Sequence, residues 1–186
     1  MPNDILESVK DFNTITIFRH VFADMDAIGS QFGLKYYLES AYPNKKIYCL
    51  GSNCPVSQRN NVHMGVVDDE VVASSLAIVL DTSNAARIDD DRYQLAKKSI
   101  RIDHHVQVET ICDEEWIDDK ASATCELLAL YLKEKKINIP VESALMLYLG
   151  LTADNIRFTT NNVRPATFDA AKYLFEQGVD VTKVEQ

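Results

Sequence analysis

Five apolar residues in a row, Leu76-Ala-Ile-Val-Leu80, end abruptly in Asp81-Thr82-Ser83. A strand with no polar face has to be covered on both sides, the situation of strands in a parallel sheet flanked by helices. The surrounding segments fit that constraint. Thr14-Ile-Thr-Ile-Phe18, Lys46-Ile-Tyr-Cys-Leu50 and Ser99-Ile-Arg-Ile102 are short β-branched or apolar runs that read as further strands. Helical spacing recurs between and after them. It is seen from Ala27 to Glu39 (Ile28, Phe32, Tyr36), from Ser122 to Lys136 (Ala123, Leu127, Leu130) and from Val141 to Ala153. Shorter helices are expected at Asp68–Ser74, with acids in the first turn, and at Arg92–Lys98. A last helix opens at Arg164-Pro165 and is closed by Gly178. This alternation predicts an α/β fold with a mostly parallel sheet flanked by helices, and 186 residues, 46% of them hydrophobic, suit a single domain. The polar segment 51–65 predicts no element.

In parallel sheets ligands gather beyond the carboxyl ends of the strands. There this sequence concentrates its acids and imidazoles. His20, Asp24 and Asp26 follow the first strand, Asp81 the third, and Asp103-His104-His105 the fourth. Each has an ordinary reading when taken alone. His20 can be a hydrogen-bonded histidine, Asp24 a turn residue, and Asp26 and Asp81 helix caps. Their joint occurrence at strand ends points instead to a site for two divalent ions. Carboxylates and imidazoles with little thiolate suit manganese first, then magnesium or cobalt. Asp154, at the end of the Val141–Ala153 helix, is a further candidate, although a helix end is easily solvated.

A net charge of −9 and a pI near 4.9 argue against a basic groove for long nucleic acid, while leaving room for a small anion held by local cations. Cys49, Cys54, Cys112 and Cys125 form no Cys-x-x-Cys pair, so reduced thiols and a cytoplasmic setting are expected. No apolar run approaches membrane-spanning length, and no membrane partner is expected.

The segment His20-Val-Phe-Ala-Asp24-Met-Asp26-Ala-Ile-Gly-Ser resembles the first motif of the DHH phosphoesterase superfamily. Asp81, Asp103-His104-His105 and Gly150-Leu-Thr-Ala-Asp154-Asn-Ile-Arg-Phe158 resemble the later motifs, in the same order. Ala23 stands where that family usually has proline, and Met25 replaces a usually small residue. The resemblance implies one metal held by His20, Asp24 and Asp81, and a second held by Asp26, Asp81, His104 and Asp154. His105 would then face the substrate phosphate, and Asp103 would orient the histidines. Two divalent ions cancel the four aspartates, so a phosphate ester needs further positive groups. Arg87 and protonated His105 are the candidates. Ser122 and Thr124, at a helix start, offer either an anion-binding N-terminus or plain capping.

Within the superfamily the motifs look most like the NrnA-like group, which cleaves very short oligoribonucleotides and removes phosphate from adenosine bisphosphate. A short RNA or nucleotide phosphate is therefore the expected substrate, with water attacking phosphorus in line. A family II-type inorganic pyrophosphatase and a non-catalytic nucleotide-binding module are the alternatives. The NrnA-like group carries a second, substrate-gripping domain. Its glycine- and histidine-rich motif is not seen here, so residues 1–177 are expected to form the catalytic domain and 178–186 the start of a linker. A homodimer is compatible with this reading.

Overall fold

A computed structural model describes residues 4–183. Five strands, β1 (Thr14–Phe18), β2 (Lys46–Cys49), β3 (Leu76–Leu80), β4 (Lys98–Asp103) and β5 (Glu114–Ile117), form one sheet. The order is β2-β1-β3-β4-β5 and every neighbouring pair is parallel. The helices are α1 (Ile5–Lys10), α2 (Met25–Ala41), α3 (Pro55–Arg59), α4 (Asp69–Ala73), α5 (Thr124–Glu134), α6 (Val141–Asp154) and α7 (Pro165–Glu176).

The pleat sorts the strands between two cores. Ile15, Ile17, Leu76, Ile78, Leu80, Ile100 and Ile102 face the larger core, with buried residues of α2, α5, α6 and α7. Phe18, Ala77 and Val79 face a smaller one with Val72 of α4, Ile88 and Tyr93. Each fully buried Ile or Leu contributes roughly 1.5–3 kcal/mol, which explains why the central strand β3 tolerates no polar residue. The helix α2 lies against α6 at close range. A Cβ on Gly29 would sit 2.5 Å from the Met146 carbonyl, and one on Gly150 would sit 3.1 Å from the Asp26 Cα.

From β1 the chain passes to β2 on one side and then crosses back to β3 on the other. This change of direction opens a crevice between the carboxyl ends of β1 and β3.

Several expected elements shift. The segment expected as a helix over Arg92–Lys98 is a 3-10 turn at Asp91–Leu95, because β4 already begins at Lys98. Asp24, not Asp26, caps α2, accepting from Ala27 N at 3.0 Å. Three elements were not legible: α1, α3 and β5. Strand β5 is an edge strand of sequence Glu-Glu-Trp-Ile with no apolar run, and its acids pair with β4 instead, Glu114 with Lys98 at 2.6 Å and Glu115 with Arg101. The expected linker 178–186 begins at Gly178, whose φ of +100° suits glycine, and its last three residues lie outside the described residues.

Candidate metal centre

His20 and Asp81 stand on the two lips of the β1/β3 crevice. Backbone geometry aims both. His20 is joined to Ile88 by an isolated antiparallel bridge, and Asp81 turns out of β3 with φ +55°, a left-handed conformation that aspartate tolerates better than most residues. Asp81 is 2% exposed. Its Oδ2 lies 3.4 Å from His20 Nε2, and its Oδ1 lies 3.4 Å from His104 Nε2. Asp24 Oδ2 completes the first group, 3.6 Å from His20 Nε2. Asp26 Oδ2 and Asp154 Oδ2 complete the second, 3.8 and 3.3 Å from His104 Nε2.

These separations are long for hydrogen bonds to an imidazole. Those to Asp81 and Asp154, 3.4 and 3.3 Å, fit atoms that share an ion, since ligands held at about 2.0–2.2 Å lie roughly 3.0–3.5 Å from one another, and those to Asp24 and Asp26 are slightly longer. The imidazoles are prepared for that task. His20 Nδ1–H donates to the Val21 carbonyl at 2.6 Å and His104 Nδ1–H to the Ala121 carbonyl at 3.3 Å. A carbonyl can only accept, so both Nε2 lone pairs are available to a cation. His20/Asp24/Asp81 and Asp26/His104/Asp154 are each close enough to hold a metal ion, and the donor set of oxygens and imidazole nitrogens suits a divalent one. A third grouping, Asp81 with His104 and His105, meets the same distance condition. There His105 Nδ1 already donates to Asp103 Oδ1 at 2.7 Å, so that nitrogen has no lone pair to offer.

Without a cation the carboxylates recruit protons. Burial opposes charge on His20, but Asp24 and Asp81 outweigh it and push the imidazole up to about 10. His104 behaves alike beside Asp81, Asp26 and Asp154, and is also pushed up to about 10. Burial raises Asp26 well above the usual carboxylate range, and Asp81 adds to it. Burial works the same way on Asp154, which reaches about 6 with Asp81 and Asp24 repelling its charge. Asp81 is the exception: burial raises it, but the two histidines facing its oxygens overcome burial and hold it far below. His105 rises chiefly because Asp103 accepts its proton.

The remaining expected residues fall in different places. Asp103 is fully buried at the end of β4 and fixes His105, accepting also from His105 N at 3.3 Å. Arg87 is exposed on a 3-10 turn at Ala85–Arg87, held near His20 by the bond from Val21 N to its carbonyl at 2.7 Å. Among the described residues its guanidinium makes no ion pair.

Ser122 and Thr124 do not line an open anion site. Both are fully buried. The α5 N-terminus is already filled by a carboxylate. Thr124 N donates to Asp26 Oδ2 at 2.7 Å, Cys125 N to Asp26 Oδ1 at 2.9 Å, and Thr124 Oγ1 to Asp81 Oδ1 at 3.2 Å. Ser122 Oγ donates instead to Glu126 Oε2 at 2.6 Å.

Sequence reading missed Glu126, Asn155 and Arg164. The available signal was an acid, Glu126, lying beside the apolar stripe Ala123, Leu127, Leu130, where a charge without a partner is costly. In the fold Arg164 Nε meets Glu126 Oε1 at 3.0 Å. After Asp154 and Asn155, three consecutive residues, Ile156, Arg157 and Phe158, have φ of 48°, 55° and 66°. A left-handed turn of non-glycine residues costs about 1–2 kcal/mol for each of them.

Among the described residues no helix is long and apolar enough to cross a membrane, and all four cysteines are free. Residues 14–151 match the DHH family, N-terminal domain. The chain is 33% identical over 185 residues to the uncharacterized MG371 homolog of Mycoplasma pneumoniae, covering 98% of this chain and 57% of that one. It is 35% identical over 179 residues to the bifunctional oligoribonuclease and PAP phosphatase NrnA of Bacillus subtilis, covering 95% and 57%. The crystal structure of an exopolyphosphatase-related protein from Bacteroides fragilis superimposes with a TM-score of 0.81 at 24% identity, covering 97% and 57%. The chain thus spans less than two thirds of the length of the curated relatives it matches.

Proposed function

Because the chain belongs to the DHH family, we propose that it carries the machinery of a two-metal phosphoesterase acting on short oligoribonucleotides and on 3',5'-bisphosphate nucleotides. The observation that carries this reading is Asp81, with one carboxylate oxygen toward His20 and the other toward His104, each at 3.4 Å. A shared carboxylate between two imidazole-acid groups is what a pair of adjacent ions requires. His20, Asp24 and Asp81 would hold one ion and Asp26, Asp81, His104 and Asp154 the other, with manganese the expected metal. When bound, such a pair supplies a water nucleophile at neutral pH and positive charge for the phosphoryl oxygens.

The chain's own residues supply the rest. Asp103 holds His105 Nδ1–H and favours the protonated ring, which leaves Nε2–H to donate to a phosphate oxygen or to the departing alkoxide. Arg87, exposed beside the His20 segment, adds a cation for a second phosphate or a nucleotide backbone. The acidic surface suits a substrate of a few nucleotides rather than a tracked polymer. The similarity to the Bacillus subtilis NrnA supports that substrate class, and the free cysteines suit a cytoplasmic setting.

Product analysis in manganese decides between substrates. Release of mononucleotide from a two-nucleotide RNA and of phosphate from adenosine 3',5'-bisphosphate is expected. Hydrolysis of pyrophosphate in preference to both would redirect the assignment, and binding without turnover would reduce it to a nucleotide-binding module.

A further inference from the structure

Asp154 is the one ligand carried by α6, and it is the final residue of that helix. Nothing in a helix end fixes a carboxylate relative to another element, yet Asp154 must meet Asp26, from α2, and His104, from the loop that follows β4. The next residue provides a link. Asn155 is fully buried, its Nδ2 donates to Ser122 Oγ at 3.3 Å, and its Oδ1 accepts from Phe158 N at 2.8 Å. Ser122 is tied in turn to Glu126, donating through Oγ at 2.6 Å and through N at 3.0 Å to Oε2. The same Oε2 accepts from Thr167 Oγ1 at 2.9 Å, while Oε1 takes the guanidinium of Arg164. Two residues beyond Ser122, Thr124 binds Asp26 and Asp81.

We propose that Asn155 is a positioning residue of the Asp26–His104–Asp154 centre, acting through Ser122 and anchored by Glu126. One short path, Asn155 to Ser122 to the Thr124 segment, connects the carboxylate at the end of α6 to those of Asp26 and Asp81. Glu126 keeps Ser122 in place because it is a buried carboxylate that ties Ser122, in the segment before α5, to Arg164 and Thr167 at the start of α7. The side chain of Asn155 also holds the amide of Phe158, the last residue of the left-handed turn, so the chain leaves the site at once without disturbing Asp154. The inference rests on the metal reading, and its test separates the two.

The test is a titration of the metal-free chain with Mn2+, followed by calorimetry and by the loss of the free-ion paramagnetic signal. Two classes of binding are expected in the wild type, and Asp154→Asn identifies which class belongs to the Asp154 cluster. Asn155→Ala should weaken that class by about 10–100-fold, the range for residues that orient metal ligands, and leave the other class within a few-fold. Ser122→Ala, a milder change that deletes one hydroxyl, should weaken the same class in the same direction and covers the case in which Asn155→Ala does not fold. A merely structural link would lower the unfolding temperature of both variants and leave both affinities unchanged, which overturns the proposal. Wild type that takes up no Mn2+ overturns the metal reading and this inference together.

Discussion

Asp26 and Thr124 are 98 residues apart in the chain and are joined by a 2.7 Å hydrogen bond, the Thr124 amide donating to Asp26 Oδ2. With the Cys125 amide on Oδ1, the carboxylate fills the α5 N-terminus while the oxygen shared with Thr124 also faces His104. One acid therefore serves as a helix cap and as a candidate ligand. Capping and ligation are not competing descriptions of Asp26, and α5 is aligned by the same group that lines the centre.

Asp81 is the residue whose loss is least replaceable, because each of its oxygens faces a different histidine. Asp81→Asn keeps the shape and removes the charge. It is expected to lower turnover by far more than the ~10–100-fold typical of residues that only orient ligands, and to leave less than one tightly bound ion per chain. Steady-state rates and metal content after gel filtration measure both.

Metal binding and pH are linked through His20 and His104. In the metal-free chain both are pushed up to about 10 from an ordinary 6.5, so their contribution to stability is complete below about 6.5 and is lost as pH rises through about 10. Asp154, pushed up to about 6, acts in the same direction at lower pH, its contribution disappearing as pH rises through that value. The urea midpoint of chelator-treated protein should therefore fall between pH 6.5 and 10. At pH 7.5 both imidazoles must give up a proton to ligate, so Mn2+ binding should release at least about two protons per chain. Calorimetry in buffers of different ionisation enthalpy counts them, and a value near zero would contradict the assignment of both Nε2 atoms as ligands.

His105→Asn removes the group that Asp103 holds without touching His20, Asp26 or Asp154. A loss of roughly 10²–10⁴-fold is expected for esters with a ribose leaving group, the range for a lost acid catalyst. An aryl phosphate, whose leaving group needs no proton, should lose far less. Equal losses on both esters would assign His105 to phosphate binding alone.

Gly150 tests the packing that brings α6 to α2. A Cβ there would meet Cys125 Sγ at 2.3 Å and the Asp26 Cα at 3.1 Å. Gly150→Ala is therefore expected to destabilise the fold by ~1–3 kcal/mol despite alanine's better helix propensity, and to weaken Mn2+ binding at the Asp26 cluster. Denaturant titration and Mn2+ titration of the same preparation report the two effects.

The fold was legible where residues had one task. Leu76–Leu80, buried on both faces, could be nothing but an inner strand, and the acids and imidazoles at the ends of β1, β3 and β4 announced the crevice. The reading was poorer where contacts set the identity of an element. Strand β5 depends on Lys98 and Arg101 to neutralise Glu114 and Glu115, partners invisible to local patterning. Ser122 and Thr124 could be read as an anion site or as plain capping, because a helix start offers N–H groups. The occupant, Asp26, is an acid from a distant part of the chain. Asn155 gave no local signal, since its role depends on Ser122 lying opposite.

Crystals grown with Mn2+ and measured at the manganese edge test the central claim most directly. Two anomalous peaks are predicted, one among His20, Asp24 and Asp81 Oδ2, the other among Asp26, His104, Asp154 and Asp81 Oδ1. A single peak, or density that leaves Asp81 uncoordinated, would contradict a paired-ion centre.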